Sequence, residues 1–94
     1  MKHYYYNNFR GFSNTDEYIS VNLNDENEVK LLEEMEASYY NSNNTNWSFH
    51  RITRKEAFKA VADNRATKRF YKKVGLNDTV GSTKIETITE HFAY

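Results

Sequence analysis

Residues 18–29 read YISVNLNDENEV, and this stretch decides the fold because a strand pattern gives way to a helix start within it. Ile19, Val21 and Leu23 alternate with polar residues, which predicts a half-buried strand. Asp25 is followed three residues later by Glu28, a spacing similar to a capping box, and both carboxylates fall where the helix dipole favours negative charge. A strand that leads directly into an amphipathic helix indicates a mixed fold.

The elements around this stretch follow from the same patterns. The predicted helix runs to about Tyr40, and its apolar stripe is Val29, Leu32, Met35 and Tyr39. Elsewhere we predict a strand over 4–9, a loop over 10–15, an Asn-rich connection over 41–46 and a short strand over 47–51.

A second helix begins at Thr53, because Thr53 and Glu56 form a capping box of the Thr-x-x-Glu type. Its predicted core stripe is Ala57, Phe58, Val61 and Ala62. The same helical phase places Arg65 and Arg69 within that stripe, and burying two arginines would be costly. Either the helix ends near 63–64 or it leaves the core there, and we prefer a break with Asn64 as the new cap. The following helix would align Ala66, Phe70 and Val74, with Gly75 just after its end.

The last segment, 83–92, has two interpretations. Its β-branched residues favour a strand, whereas Ile85, Ile88 and Phe92 are spaced as in a helix that Thr83 and Glu86 would cap. We choose the strand. The whole chain is then predicted to be a single α+β domain over 1–94, with a small antiparallel sheet of three or four strands packed against two or three helices.

Composition narrows the class of protein. The 94 residues suffice for one domain, and eight Tyr, six Phe and one Trp can supply much of its core. Cysteine is absent, so the chain has neither a disulfide framework nor a thiolate metal site. No apolar run approaches the roughly 20 residues of a membrane span, and the N-terminus lacks the apolar region of a signal peptide. We therefore expect a cytoplasmic protein with no membrane contact.

The zero net charge conceals two halves of opposite sign. Residues 1–50 carry three basic and eight acidic side chains, a net charge of −5, and residues 51–94 carry ten basic and five acidic ones, a net charge of +5. Such asymmetry bears on partners and not on the fold. One interpretation is simply two solvated helix faces that partly neutralise each other.

The sequence contains no recognisable catalytic or cofactor motif. His3, His50 and His91 are scattered, and none has a histidine or carboxylate four residues later on a predicted helix. No serine lies in a Gly-x-Ser-x-Gly elbow, and the three glycines are too far apart for a phosphate-binding loop. We expect no catalytic residues, no metal and no cofactor, and hence a protein that is not an enzyme.

One segment, over 60–76, resembles a known enzyme family. AVADN at 60–64, followed by FYKKVGL at 70–76, is similar to the late strand and helix of the GNAT acetyltransferases. Asn64, Tyr71 and Gly75 match that pattern, and the resemblance implies that Tyr71 would act on the departing coenzyme A thiolate. Leu76 stands where the family has Phe, and the pyrophosphate-binding Gly-rich segment is missing. The alternative is an ordinary amphipathic helix.

In size, composition and lack of catalytic motifs the chain also resembles small phage or mobile-element proteins that block host defence, such as anti-CRISPR inhibitors. That resemblance implies a non-enzymatic inhibitor that docks on a host protein or ribonucleoprotein complex. An acidic surface could occupy a basic, nucleic-acid-binding surface of the partner. The candidate acidic residues are Asp25, Glu26, Glu33, Glu34 and Glu36.

The alternative function is direct RNA or DNA binding by the basic segment 51–73, with tyrosines stacked on unpaired bases. The candidate basic residues are Arg54, Lys55, Arg65, Lys68, Arg69, Lys72 and Lys73. The sequence leaves open the partner, which charged surface is functional, whether Arg65 and Arg69 are paired or exposed, and the oligomeric state, a homodimer included.

Overall fold

The computed structural model describes residues 1–10, 14–40, 47–76 and 81–93. Within these ranges the elements are β1 (Lys2–Arg10), β2 (Asn14–Asn22), α1 (Glu26–Tyr40), β3 (Trp47–Ile52), α2 (Arg54–Lys73), β4 (Ile85–Thr87) and α3 (Ile88–His91). Two predicted connections fall partly or wholly outside the described residues. Of the predicted loop over 10–15, Arg10, Asn14 and Thr15 belong to strands and 11–13 lie outside the described residues, as does all of 41–46.

The four strands form one sheet in the order β3-β1-β2-β4. The central strand β1 pairs antiparallel with β2 and with β3, whereas β4 pairs parallel with β2. The predicted α+β fold is therefore confirmed, with one difference: the sheet is mixed. The difference arises because β4 belongs to the segment after α2 and returns to the sheet in the same direction as β2.

The buried core lies on the side of the sheet that α1 and α3 cover. Tyr5, Ile19 and Val21 project from β1 and β2 into this core, where they meet Leu32 and Met35 of α1. Ile88 of α3 completes the core and, like Val21, is 0% exposed. The alternation predicted for residues 18–23 thus places its apolar side chains as expected, with Leu23 packed at the edge of the core.

Helix α2 lies on the other side of the sheet. Neighbouring residues of a strand point to opposite faces, so Tyr4 faces away from the core that contains Tyr5. The Tyr4 ring meets Phe58 of α2 edge-on, with ring centroids 6.1 Å apart. The sheet therefore separates α1 from α2.

Both predicted helix starts are capped by side chains. The Asp25 carboxylate accepts hydrogen bonds from the backbone N–H groups of Asn27 and Glu28, at 2.9 and 3.3 Å. At α2, the Thr53 hydroxyl accepts from the Glu56 N–H while the Glu56 carboxylate accepts from the Thr53 N–H, which completes the capping box. Each cap satisfies backbone donors that a helix start otherwise leaves unpaired.

The predicted break at 63–64 is wrong, because α2 is one continuous helix from Arg54 to Lys73. The helix leaves the core instead, which is the other alternative for Arg65 and Arg69. Asn64 caps nothing: its amide donates to the Gly81 carbonyl at 2.8 Å, and its side-chain oxygen accepts from the Thr83 N–H at 2.9 Å. The helix is thereby fixed to the segment that leads into β4.

The predicted core stripe of α2 is only partly buried. Ala57 is 0% exposed, but Phe58 is 48% exposed, and Phe70 and Val74 further along are 60% and 52% exposed. The apolar pattern of α2 does not predict this exposure, because the sheet face that α2 covers is not a continuous apolar surface. Gly75 follows the helix with a φ of +85°, as predicted for a residue just after a helix end.

The tail combines both predicted structures. Residues 85–87 form β4, and 88–91 then form the single-turn helix α3. Thr87 rather than Thr83 caps that turn, its hydroxyl accepting from the Glu90 N–H at 3.1 Å. The choice of a strand for all of 83–92 is therefore right only for 85–87 and wrong on either side of it. No helix in the described part of the chain is both long enough and apolar enough to cross a membrane.

Candidate functional site

An exposed stripe of side chains runs along α2. Arg54, Phe58, Ala62, Arg65 and Arg69 follow one another at spacings of four, four, three and four residues, so they lie on one face of the helix. We call this set the α2 stripe; at 1.5 Å per residue it is about 22 Å long. The Arg54 guanidinium lies 4.9 Å from the centroid of the Phe58 ring, a cation–π contact.

A groove of about 600 Å³ separates α2 from the sheet. The wall on α2 consists of Phe58, Val61, Ala62 and Arg65; the opposite wall consists of Lys2, Tyr4, Ser20, Thr83, Lys84, Ile85 and Thr87. The charged side chains that line it are Lys2, Arg65 and Lys84, and no carboxylate of the described residues is among them. The groove is thus positive, with aromatic and hydroxyl groups between its charges.

A row of rings crosses the same face of the sheet beside the groove. Tyr6 of β1 is paired in register with Tyr18 of β2 and His50 of β3, and its ring centroid lies 5.5 and 5.3 Å from theirs. We call these three residues the ring row. Two of them are half-buried and His50 is exposed. Asp16 accepts hydrogen bonds from the Tyr6 hydroxyl and the Asn8 amide, each at 2.7 Å.

Tyr18 of the ring row has a perturbed pKa. Burial raises the pKa of Tyr18 above its usual value near 10, and the neighbouring Asp16 carboxylate adds to the effect. The Tyr18 hydroxyl therefore keeps its proton to a higher pH than a free tyrosine does.

The predicted basic residues all lie on α2, but they do not form a single surface. Arg65 and Arg69 are exposed, and neither forms an ion pair with another residue of the described ranges. Lys68 instead donates to the Ser82 hydroxyl and so faces the segment before β4. The remaining predicted residues are the exposed Arg54, Lys55, Lys72 and Lys73.

The predicted acidic residues lie on α1 or at its start. Asp25 serves as the helix cap described above, whereas Glu26, Glu33 and Glu34 are exposed. Glu36 is half-buried. Burial of the Tyr5 ring is the main cause of the raised pKa of Tyr5, and the Glu36 carboxylate adds to it. Because α1 covers the core side of the sheet, this acidic surface faces away from the groove.

The structure also brings together three side chains that sequence reasoning did not connect. Glu17 of β2, Glu86 of β4 and His91 of α3 each place one ligand-type atom within 4.8 Å of the others'. Their positions in the sequence do not predict that they lie close together, because the parallel pairing of β4 with β2 and the turn at α3 create the proximity. The cluster lies on the core side of the sheet, since Glu86 is the register partner of Ile19.

The acetyltransferase-like segment has a different structure from the one its resemblance implies. Residues 60–64, matched to a strand in that family, lie inside α2, and the Asn64 side chain is engaged by Gly81 and Thr83. Tyr71 is half-buried and its ring lies 5.8 Å from that of Phe70.

Comparisons of the chain with protein-family models, with curated proteins and with solved structures found no match.

Proposed function

We propose that this chain is a non-enzymatic binding protein that takes up single-stranded nucleic acid on the α2 side of its sheet. The observation that carries the proposal is the groove between α2 and the sheet, whose charged lining is Lys2, Arg65 and Lys84. Lys2 and Arg65 form no ion pair with another described residue, and Lys84 has only the Glu86 carboxylate at 3.8 Å, so the lining carries an excess of positive charge that attracts a polyanion. Arg69 extends the positive track along the α2 stripe.

The rings beside the groove indicate a single-stranded ligand. Proteins that bind unpaired strands combine a basic groove for the backbone with aromatic side chains on which bases stack. Tyr4 and Phe58 lie within the groove, and Tyr6 and Tyr18 lie one step along the strands. In a duplex the base faces are already stacked on one another, so these rings favour an unpaired strand.

The acidic helix α1 does not oppose this ligand. Glu33 and Glu34 lie on α1, and the sheet stands between α1 and the groove. Exposed charges further apart than about 8 Å are largely screened at physiological ionic strength. Repulsion from α1 is therefore weak at the groove, although the chain as a whole is neutral.

Fluorescence anisotropy with labelled single-stranded oligonucleotides of DNA and RNA, and with a duplex of equal length, tests the proposal. We expect the single strands to bind and the duplex to bind more weakly. Tyr6→Leu removes one stacking surface, worth about 1–3 kcal/mol per base, so its affinity should fall by roughly 5- to 150-fold. Tyr71→Leu is the matched control, because Tyr71 belongs neither to the groove nor to the ring row.

Two results would contradict the proposal. One is an absence of saturable binding to any single strand at low salt. The other is an equal loss of affinity in the Tyr6 and Tyr71 variants, since that would report a change in folding rather than a lost stacking contact.

A second candidate function rests on the acidic surface. We propose, as that alternative, that α1 docks on a basic, nucleic-acid-binding surface of a host protein or ribonucleoprotein complex, as a phage-type inhibitor would. Glu26, Glu33 and Glu34 support it, because all three are exposed and none forms an ion pair with another described residue. Their charges are thus available to a partner.

Charge reversal separates the two candidates. Under the docking proposal, the double variant Glu33→Lys and Glu34→Lys loses a partner captured from host lysate, while Arg65→Glu retains it. Under the nucleic-acid proposal, Arg65→Glu loses oligonucleotide affinity and the α1 variant does not. Both assignments are excluded if Arg65→Glu loses the captured partner and the α1 double variant loses oligonucleotide affinity.

A further inference from the structure

The cluster of Glu17, Glu86 and His91 is independent of the groove and is built from three separate elements. The His91 Nδ1 atom lies 3.1 Å from Glu17 Oε2 and 3.8 Å from Glu86 Oε2. The His91 side chain is only 16% exposed, and the two carboxylates are 38% and 31% exposed. Two carboxylates thus converge on one partly buried imidazole nitrogen.

The Nδ1 atom of His91 cannot hydrogen-bond both carboxylates. One Nδ1–H group donates one good hydrogen bond, and the Glu17 oxygen at 3.1 Å takes that position. The Glu86 oxygen at 3.8 Å is beyond hydrogen-bond distance, so it faces the same centre without a proton of its own. Bringing a second carboxylate towards the first costs free energy unless a cation, either an imidazolium or a metal ion, lies between them.

The outer oxygen of each carboxylate is held separately. Glu17 Oε1 accepts a hydrogen bond from the amide of Asn7, at 3.3 Å, and Asn7 is itself only 3% exposed. Glu86 Oε1 lies 3.8 Å from Lys84 Nζ. Each Oε2 is thereby directed towards His91, an arrangement similar to the outer contacts that orient metal ligands in proteins.

We propose that Glu17, Glu86 and His91 form a binding site for a divalent transition-metal ion, with Zn²⁺ the ion that their donors suit best. Imidazole nitrogen and carboxylate oxygen bind zinc at about 2.0–2.2 Å, which places tetrahedral donor atoms about 3.4 Å apart. The observed separations of 3.1 and 3.8 Å from Nδ1 lie on either side of that value. Two carboxylates also balance the charge of the ion.

The position of the site gives the ion a structural role. Glu17 belongs to β2, Glu86 to the three-residue strand β4, and His91 to the four-residue helix α3. Such short elements have few hydrogen bonds of their own, so a shared ion would hold the last segment against the sheet. Three protein ligands leave one tetrahedral position for water, so the site is more open than the four-ligand sites that usually hold zinc in structural roles.

Isothermal titration of the metal-free full chain with Zn²⁺, with Mg²⁺ as a comparison, tests the site. We expect one Zn²⁺ per chain and no saturable Mg²⁺ binding, because the imidazole disfavours Mg²⁺. Free Zn²⁺ at about 100 times its Kd should raise Tm by roughly 10–20 °C. Co²⁺ bound in place of Zn²⁺ should give a visible absorption band that reports ligation directly.

Matched variants decide whether these three residues bind the ion. Glu17→Gln and His91→Gln should each weaken Zn²⁺ binding by at least about 10-fold, whereas Glu34→Gln and the exposed His50→Gln should bind as the unchanged chain does. Glu17→Gln keeps the side-chain volume, and its metal-free melting curve shows whether it folds. The proposal is overturned if Zn²⁺ fails to bind at one ion per chain, or if the His50 and His91 variants lose it equally. Oligonucleotide binding without Zn²⁺ distinguishes this outcome from a failure of the proposed function.

Discussion

Neutralising Arg65 and Arg69 together should halve the salt dependence of oligonucleotide binding. The groove and its extension along α2 present four cations to a strand, namely Lys2, Arg65, Arg69 and Lys84. Each phosphate neutralised on a single strand contributes a slope of about −0.7 to log K against log salt concentration. Four contacts give a slope of about −2.8, and the double variant Arg65→Gln and Arg69→Gln gives about −1.4.

These slopes correspond to easily measured differences in affinity. Between about 50 and 200 mM salt, the unchanged chain should lose roughly 50-fold in affinity and the double variant roughly 7-fold. Anisotropy titrations at four or five salt concentrations give both slopes. Glutamine is a good helix former, so α2 should remain helical in the variant.

A control variant with the same loss of charge identifies the source of the effect. Lys30→Gln together with Lys59→Gln removes two cations outside the groove: Lys30 lies on α1, and Lys59 pairs with Asp63 at 2.7 Å. This control should keep the slope near −2.8. A slope that falls as far in the control as in the Arg65/Arg69 variant would refute the assignment of phosphate contacts to the groove.

Two further predictions concern stability. Ile88→Ala should lower the free energy of unfolding in urea by about 2–5 kcal/mol, because Ile88 is 0% exposed in the core. Phe92→Ala should lower it by less than about 1.5 kcal/mol, since Phe92 is 36% exposed. Equal losses in the two variants would contradict the structure of the tail. Burial, then Glu36, raises the pKa of Tyr5 in the folded chain, so the unfolded chain loses this proton first, and the stability present below about pH 10 is lost as pH rises through the folded pKa. Tyr5→Phe should flatten that alkaline decline in chemical denaturation, and an unchanged decline would contradict it.

The sequence predicts best the features that depend on neighbouring residues. The alternation at 18–23 and the capping boxes or caps at Asp25 and Thr53 were predicted correctly, because each is decided within a few residues. The helical phase indicates that Arg65 and Arg69 are not buried, and of its two explanations the preferred break at 63–64 is wrong whereas departure of the helix from the core is right. The helix continues past its contact with the core, so the two arginines are exposed without a break in the helix. Local sequence patterns do not show where that contact ends.

The groove and the metal-type cluster could not be predicted, because both depend on β4. The parallel pairing of β4 with β2 places Lys84 opposite Arg65 on one side of the sheet and Glu86 beside Glu17 on the other. Residues 83–92 have both strand and helix signals in sequence, and where we choose a strand throughout, the structure has β4 at 85–87 and α3 at 88–91. An error of a few residues in the predicted bounds of that segment is enough to prevent the prediction of either site.

The two asparagines of β1 specify how the central strands align. Tyr4, Tyr5 and Tyr6 in succession give almost the same aromatic pattern when β1 shifts by one residue, yet such a shift would exchange the two faces of the sheet. Asn7 and Asn8 each hydrogen-bond their direct register partners, Glu17 at 3.3 Å and Asp16 at 2.7 Å. A shift by one residue in either direction would leave one of these two buried amides without a carboxylate opposite it, and an unpaired buried polar group costs about 1–3 kcal/mol. The polar pairs therefore discriminate against misaligned sheets that the tyrosines alone would tolerate.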